Sequence, residues 1–209
     1  MVLYKSVYQP AEAEYTVQKS RFIAHVTPIE SYEEGQAFVT EIKQKYKDAT
    51  HNVPAIISGF KQEMQWASDD GEPSGTSGLP MLKMVADEGL TNLAIVVTRY
   101  FGGIKLGTGG LARAYTTAAK SGIEACGICE VVESVSLQYE FDYSYLAKLQ
   151  NLAGNGRFDI DNLVYTDKVS AELNCMSEER DYVVGIMSDL TLGQGKLVFE
   201  MRKTLRRRI

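Results

Sequence analysis

The sequence predicts an α+β protein of two domains, residues 1–133 and 134–209. Three observations predict this. A chain of 209 residues with 44% hydrophobic and 23% charged residues has globular composition and enough length for two modest cores. The apolar, β-branched run LAIVVTRYF at Leu93–Phe101 reads as a central strand covered on both faces. Beyond residue 133, strand and helix patterns follow one another in the order βαββαβ.

Each element has a local cause. SRFIAHV at Ser20–Val26 alternates as a strand that Pro28 ends. Ser31 and Glu34 form a capping box, and Phe38, Ile42 and Tyr46 recur at helical spacing, predicting a helix over Ser31–Lys47. Val53–Phe60 and Met64–Ser68 flank the polar turn Lys61–Glu63 as a hairpin. DDGEPSGTSG at Asp69–Gly78 is loop chemistry throughout. A short helix follows over Leu79–Asp87, with Pro80 tolerated in its first turn and Gly89 ending it. After the strand at Leu93–Phe101 comes a glycine-rich run, then an alanine-rich helix over Gly110–Ala125 suited to close packing on a sheet.

In the second half, strands are predicted at Val135–Phe141, Asp159–Tyr165, Val169–Met176 and Lys196–Leu205. Helices are predicted at Tyr143–Leu152, closed by Gly154-Asn155-Gly156, and after Ser177, which is read as a cap with Glu178 and Glu179 in the first turn. This order is the ferredoxin-like split βαβ arrangement, with one sheet face under two helices.

Composition excludes several classes. No apolar stretch approaches the roughly 20 residues of a membrane span, and the N-terminus lacks the apolar core of a secretory signal, so a cytoplasmic protein with no membrane partner is expected. Cys126, Cys129 and Cys175 are too few for a disulfide framework. The C-x-x-C pair lies far from His25 and His51 and lacks the four ligands of a zinc site, so buried, inert thiols and no metal are expected. A net charge of −5 excludes coating of nucleic acid by bulk electrostatics. One basic cluster, Arg202, Lys203, Arg206, Arg207 and Arg208, reads either as a solvated, frayed tail or as a contact for RNA or a partner.

The chemistry concentrates at RYFGGIKLGTGG, Arg99–Gly110. Gly102, Gly103, Gly107, Gly109 and Gly110 let backbone N–H groups approach a ligand, and the helix that follows offers unpaired donors and a positive dipole end. With Arg99, Lys105 and Thr108 beside them, phosphate is the natural ligand class, although tight turns and helix–sheet packing account for the same glycines. Neither common nucleotide signature is present.

The run IVVTRYFGGIKLGTGGL and the loop DDGEPSGTSG together resemble the two hallmarks of the IMPACT/YigZ family, and SRFIAHV and ATHN at Ala49–Asn52 also look like family positions. The resemblance covers essentially the whole chain. It implies an N-terminal domain like the second domain of a small-subunit ribosomal protein, also seen in elongation factor G and GHMP kinases. It implies a C-terminal ferredoxin-like domain similar to the last domain of elongation factor G. Where the family often carries a Cys and an aromatic after His51-Asn52, this chain has Val53 and Pro54, so no thiol can act there. Eukaryotic relatives modulate translational control, which points to RNA, the ribosome or a translation-related protein as partner.

Two functions compete. One is a translation-associated binding protein that holds RNA phosphates or a ribosomal partner through the glycine run and the basic cluster. The other is an enzyme acting on a phosphorylated small molecule, with His51, Asp69, Asp70, Glu72, Ser74 and Ser77 as candidate acid, base or Mg²⁺ ligands. No cofactor is expected under the first, and Mg²⁺ enters only under the second. No nucleophile elbow or H-E-x-x-H motif supports a peptidase. A third reading, a protein-interaction module anchored by Tyr100-Phe101, competes with burial of at least one of those rings. Co-location of His51 with both loops in one cleft is what separates a ligand site from dispersed residues.

Overall fold

The computed structural model describes every residue from Met1 to Ile209 and is mixed α+β, with ten strands in two sheets and five α-helices. The chain begins with β1 (Val2–Val7), β2 (Ala11–Val17) and β3 (Ser20–Pro28), followed by α1 (Tyr32–Lys45). Next come β4 (His51–Ser58), β5 (Met64–Ala67), α2 (Gly78–Asp87), β6 (Leu93–Tyr100) and α3 (Gly107–Cys126). The remainder is β7 (Ile128–Phe141), α4 (Leu146–Ala153), β8 (Phe158–Tyr165), β9 (Val169–Met176), α5 (Arg180–Leu190) and β10 (Lys196–Arg208). No helix is long and apolar enough to cross a membrane.

Two compact units form. One comprises Tyr4–Glu130 with Arg206–Ile209, the other Met1–Leu3 with Val131–Leu205. In the first, a sheet of order β2-β3-β6-β4-β5 is antiparallel throughout. Successive side chains alternate between its faces. Val53, Ala55, Ile57, Ile95 and Val97 pack under α2 and α3, whereas Ile56, Ala94 and Val96 pack under α1 with Val39 and Ile42. This explains why β6 is apolar at nearly every position: both of its faces are core. The small residues of α3 allow close approach, and a Cβ on Gly122 would stand 2.7 Å from Val26 Cγ2. Ser31 caps α1 as expected, its Oγ accepting from the Glu34 amide at 3.2 Å.

In the second unit, β7, α4, β8, β9, α5 and β10 follow in βαββαβ order, with β10 and β9 on β7 and β8 on β9. Leu137, Phe141 and Leu173 meet Leu149, Val183 and Met187 in one core. A 3₁₀ turn precedes each of α4 and α5, and Ser177 starts the second of these turns without capping a helix.

β1 and β2 lie in a stretch whose pattern predicts no strand. β2 is exposed at Glu12, Glu14 and Thr16 and half-buried at Ala11, Ala13, Tyr15 and Val17, a period-two alternation carried at its start only by two small alanines. The basic cluster continues β10 to Arg208 and so is ordered, not frayed.

Candidate functional site

Strand register places the first two functional side chains. Counting by twos along β6 from Leu93 through Ile95 and Val97 reaches Arg99, and counting back along β4 from Ile57 reaches His51. His51 pairs with Arg99, and Arg99 pairs with Phe22 on its other side. Arg99 and His51 therefore end the row of side chains that faces α3.

Arg99 is only 5% exposed, and Nη1 donates to Glu72 Oε1 at 2.5 Å. Glu72 arrives from the Asp69–Gly78 loop, is 8% exposed, and also accepts from Tyr115 Oη of α3 at 2.7 Å. The guanidinium carbon stands 5.4 Å from the centres of both the Phe22 and the Phe101 rings. Burial, then the bond to Glu72, pushes the Tyr115 phenol pKa well up, so this donor keeps its hydrogen. A carboxylate taken from water needs such donors, because an unpaired buried charge costs several kcal/mol.

Asp69 organises the rest of that loop. Its carboxylate accepts from the amides of Gly75, Ser77 and Gly78 and from Ser77 Oγ, at 2.7–3.0 Å. Burial pushes the Asp69 pKa up, but these donors, Ser77 Oγ foremost, outweigh it and hold the carboxyl below its usual range. Asp70 accepts from Lys43 Nζ at 2.5 Å and from the Asn52 amide at 2.6 Å. Its carbonyl stands 2.8 Å from His51 Nδ1. A carbonyl only accepts, so Nδ1 carries the hydrogen, and Nε2 stands 3.8 Å from Glu72 Oε2.

The glycine run completes the site. The Phe101 amide donates to Thr50 Oγ1 at 3.0 Å and the Gly102 amide to Ser20 Oγ at 3.1 Å. A Cβ on Gly102 would lie 2.0 Å from the Lys19 carbonyl carbon, so close packing requires that glycine. Gly103 and Gly107 have φ of +87° and +70°, the left-handed region where a side chain strains. The second of these turns the chain into α3, three residues earlier than the alanine-rich pattern suggests. Between the two loops lies a cleft of about 420 Å³, lined by Thr50, His51, Glu72, Pro73, Arg99, Phe101, Lys105, Leu106, Gly107, Thr108 and Leu111.

The predicted residues divide accordingly. His51, Glu72, Arg99, Lys105, Gly107 and Thr108 line the cleft. Asp69 and Ser77 bond to each other, Asp70 is held by Lys43 and Asn52, and exposed Ser74 lines a separate groove with Trp66. Gly102 and Gly103 shape the approach, whereas Gly109 and Gly110 belong to the first turn of α3. In the basic cluster, Lys203 pairs with Glu172, Arg206 with Glu30 and Arg207 with Glu130, and Arg208 lies 5.9 Å over Tyr8. Arg202 is exposed. Neither ring of Tyr100-Phe101 is buried: Phe101 is 46% exposed, and half-buried Tyr100 donates its hydroxyl to Asp48.

Sequence reasoning missed Tyr115, Thr50, Leu106 and Lys43. Tyr115 carried a signal, as a lone phenol in the small-residue stretch ARAYTTAAK. The acids do not converge as a Mg²⁺ ligand set, because Asp69 and Asp70 spend their oxygens on protein donors and Glu72 Oε1 accepts two more.

The family model of the Impact N-terminal domain matches residues 18–123, which contain every cleft residue. The chain is 37% identical to the IMPACT family member YvyE of Bacillus subtilis over 93% of this chain and 89% of the relative. It is 34% identical to the IMPACT family member YigZ of Escherichia coli over 66% and 69% of the two chains. A crystal structure described as that of a hypothetical protein is similar with a TM-score of 0.60 and 28% identity, covering 93% of this chain and 95% of the other. A cleft inside the matched segment and end-to-end similarity to a curated member lead to one conclusion: the chain belongs to the IMPACT family.

Proposed function

We propose that this protein is a translation-associated binding protein that holds a phosphate-bearing RNA or ribosomal partner at the cleft beside α3. The observation that carries the reading is the convergence of Lys105, Thr108 and the start of α3 with His51 and Arg99 around one concavity. Lys105 takes part in no ion pair of the chain, and α3 has neither a side-chain cap nor an acid in its first turn. An anion would satisfy both. The translational setting rests on the family resemblance, with its likeness to a ribosomal-protein domain and to the last domain of elongation factor G. The basic cluster contributes less, since three of its five cations are ion-paired.

Co-sedimentation with ribosomes and anisotropy of a labelled structured RNA test this reading. Binding at low salt that weakens steeply as salt rises, and that Lys105→Glu weakens further, is expected. No binding at low salt, or an affinity unchanged in Lys105→Glu, overturns it.

One observation favours an enzyme acting on a phosphorylated small molecule: His51 lines the cleft with Nδ1 held by the Asp70 carbonyl and Nε2 beside the Glu72 carboxylate. A base so placed accepts a proton from a hydroxyl within hydrogen-bond reach. Turnover of phosphorylated metabolites that disappears in His51→Gln supports this second reading.

A further inference from the structure

Which phosphate the cleft accepts follows from its charge, its donors and its size. We propose that it takes a phosphate monoester of a molecule that also presents a planar ring able to stack, the chemistry shared by a free mononucleotide and the phosphorylated end of an RNA strand. This inference rests on the phosphate-binding reading of the same cleft and adds a choice of ester and of attached group.

The anion corner lies where α3 begins. Leu106 at the N-cap offers no side-chain acceptor to the first-turn amides, whereas Ser31 serves α1 and Asp69 serves the Gly78 amide at the start of α2. Arg99 supplies an independent observation. It lines the cleft and is 95% removed from solvent, yet only Nη1 has a partner; Nε is sealed inside the protein, and Nη2 is the unpaired donor that retains accessible surface. A buried guanidinium with donors to spare is costly unless something else accepts from it.

Charge selects the ester. Arg99 and Glu72 cancel, leaving Lys105 and about half a unit of positive charge from the helix end. That excess matches a monoester, which carries roughly −1.5 to −2 at neutral pH. An internal diester carries less charge and has no ionisable hydroxyl.

Shape selects the attached group. Phe101 offers an exposed ring on the cleft wall, with Leu106 and Leu111 also lining it. Base–aromatic stacking of this kind is sequence-tolerant. A volume of about 420 Å³ holds one small ligand, in the usual range of roughly 300–1,000 Å³, rather than a duplex.

The test uses the full chain. Calorimetry compares adenosine 5′-monophosphate, its phosphate methyl ester and inorganic phosphate, while anisotropy compares one short RNA bearing 5′-phosphate, 3′-phosphate or hydroxyl ends. The monophosphate is expected to bind at least tenfold more tightly than its methyl ester and than inorganic phosphate. Lys105→Ala and Thr108→Asp should each weaken it about tenfold. Thr108→Asp places a carboxylate among the helix amides and should hold or raise the melting temperature, so weaker binding cannot be assigned to unfolding. Tighter binding of a phosphorylated RNA end supports the proposal with RNA as the source. Binding of the free mononucleotide alone supports it with a small molecule as the source, and removes the RNA reading. Equal binding of all three RNAs without mononucleotide binding overturns the inference and leaves the RNA reading standing. Equal affinity for inorganic phosphate overturns the role of the ring, and binding of none of the probes overturns both readings.

Discussion

Tyr115 Oη lies 2.7 Å from Glu72 Oε1, a helix phenol donating to a loop carboxylate that Arg99 also holds. Donor and acceptor differ in what their loss leaves behind. Tyr115→Phe removes one hydrogen bond to a charged group and should cost about 1.5–3 kcal/mol. Glu72→Ala strands the buried Arg99 charge and should cost about 3–5 kcal/mol. Urea denaturation checks both, and a double mutant less destabilised than the sum of the two is expected because Glu72→Ala already removes the acceptor of the Tyr115 bond.

His51 should be found as a single tautomer. Long-range proton–nitrogen NMR on the neutral ring is expected to show hydrogen on Nδ1, directed at the Asp70 carbonyl. Hydrogen on Nε2 would remove the basis for His51 as a proton acceptor.

Gly102→Ala should destabilise by about 1–3 kcal/mol or more, since the new methyl group would enter the backbone at Lys19 and Ser20. Gly103→Ala meets no neighbouring atom, and its smaller cost should come from its φ of +87° alone. Thermal unfolding of the pair separates crowding from conformational strain. Equal losses would contradict the close approach at Gly102.

Acid should protonate a carboxylate of the unit that does not bear the cleft. Bonds from Lys203, Ser136 and Asn162 hold the Glu172 pKa down to about 2, against 4.5 for a free side chain. With the folded value depressed, the unfolded chain binds more protons between those values. The contribution of Glu172 is therefore complete above pH 4.5 and is lost as pH falls toward 2. Glu172→Gln should flatten that part of the stability curve, and an unchanged slope between pH 4.5 and 2 would contradict these contacts.

The elements that position the site were legible because their patterns are strong. Both-sided burial writes β6 as unbroken apolar sequence from Leu93 to Val97, and the small-residue face of α3 reads as close packing. Loop chemistry likewise marks Asp69–Gly78 and the glycine run as the places of interest. Which loop residues face the cleft was not legible. Asp69 and Glu72 are both acids of one loop, but one turns inward to amides and the other meets a cation from a distant strand. Arg99 read as an available cation, yet its alternation with Leu93, Ile95 and Val97 already placed it inward. Only its partner, 27 residues away, was hidden. β1 was invisible for a related reason, since it pairs with β7, more than a hundred residues later.

Arg206–Ile209 belong to the compact unit of Tyr4–Glu130, although Val131–Leu205 build the other. Arg206 pairs with Glu30, Arg207 with Glu130, and the Ile209 amide with the Ile128 carbonyl. Folding during synthesis therefore cannot run simply from first residue to last. At about 5–20 residues per second, the cleft-bearing unit waits roughly 4–16 s for its closing strand after Glu130 is made. A premature stop codon after Leu205 would leave the interrupting unit whole and strike instead at the unit translated long before it.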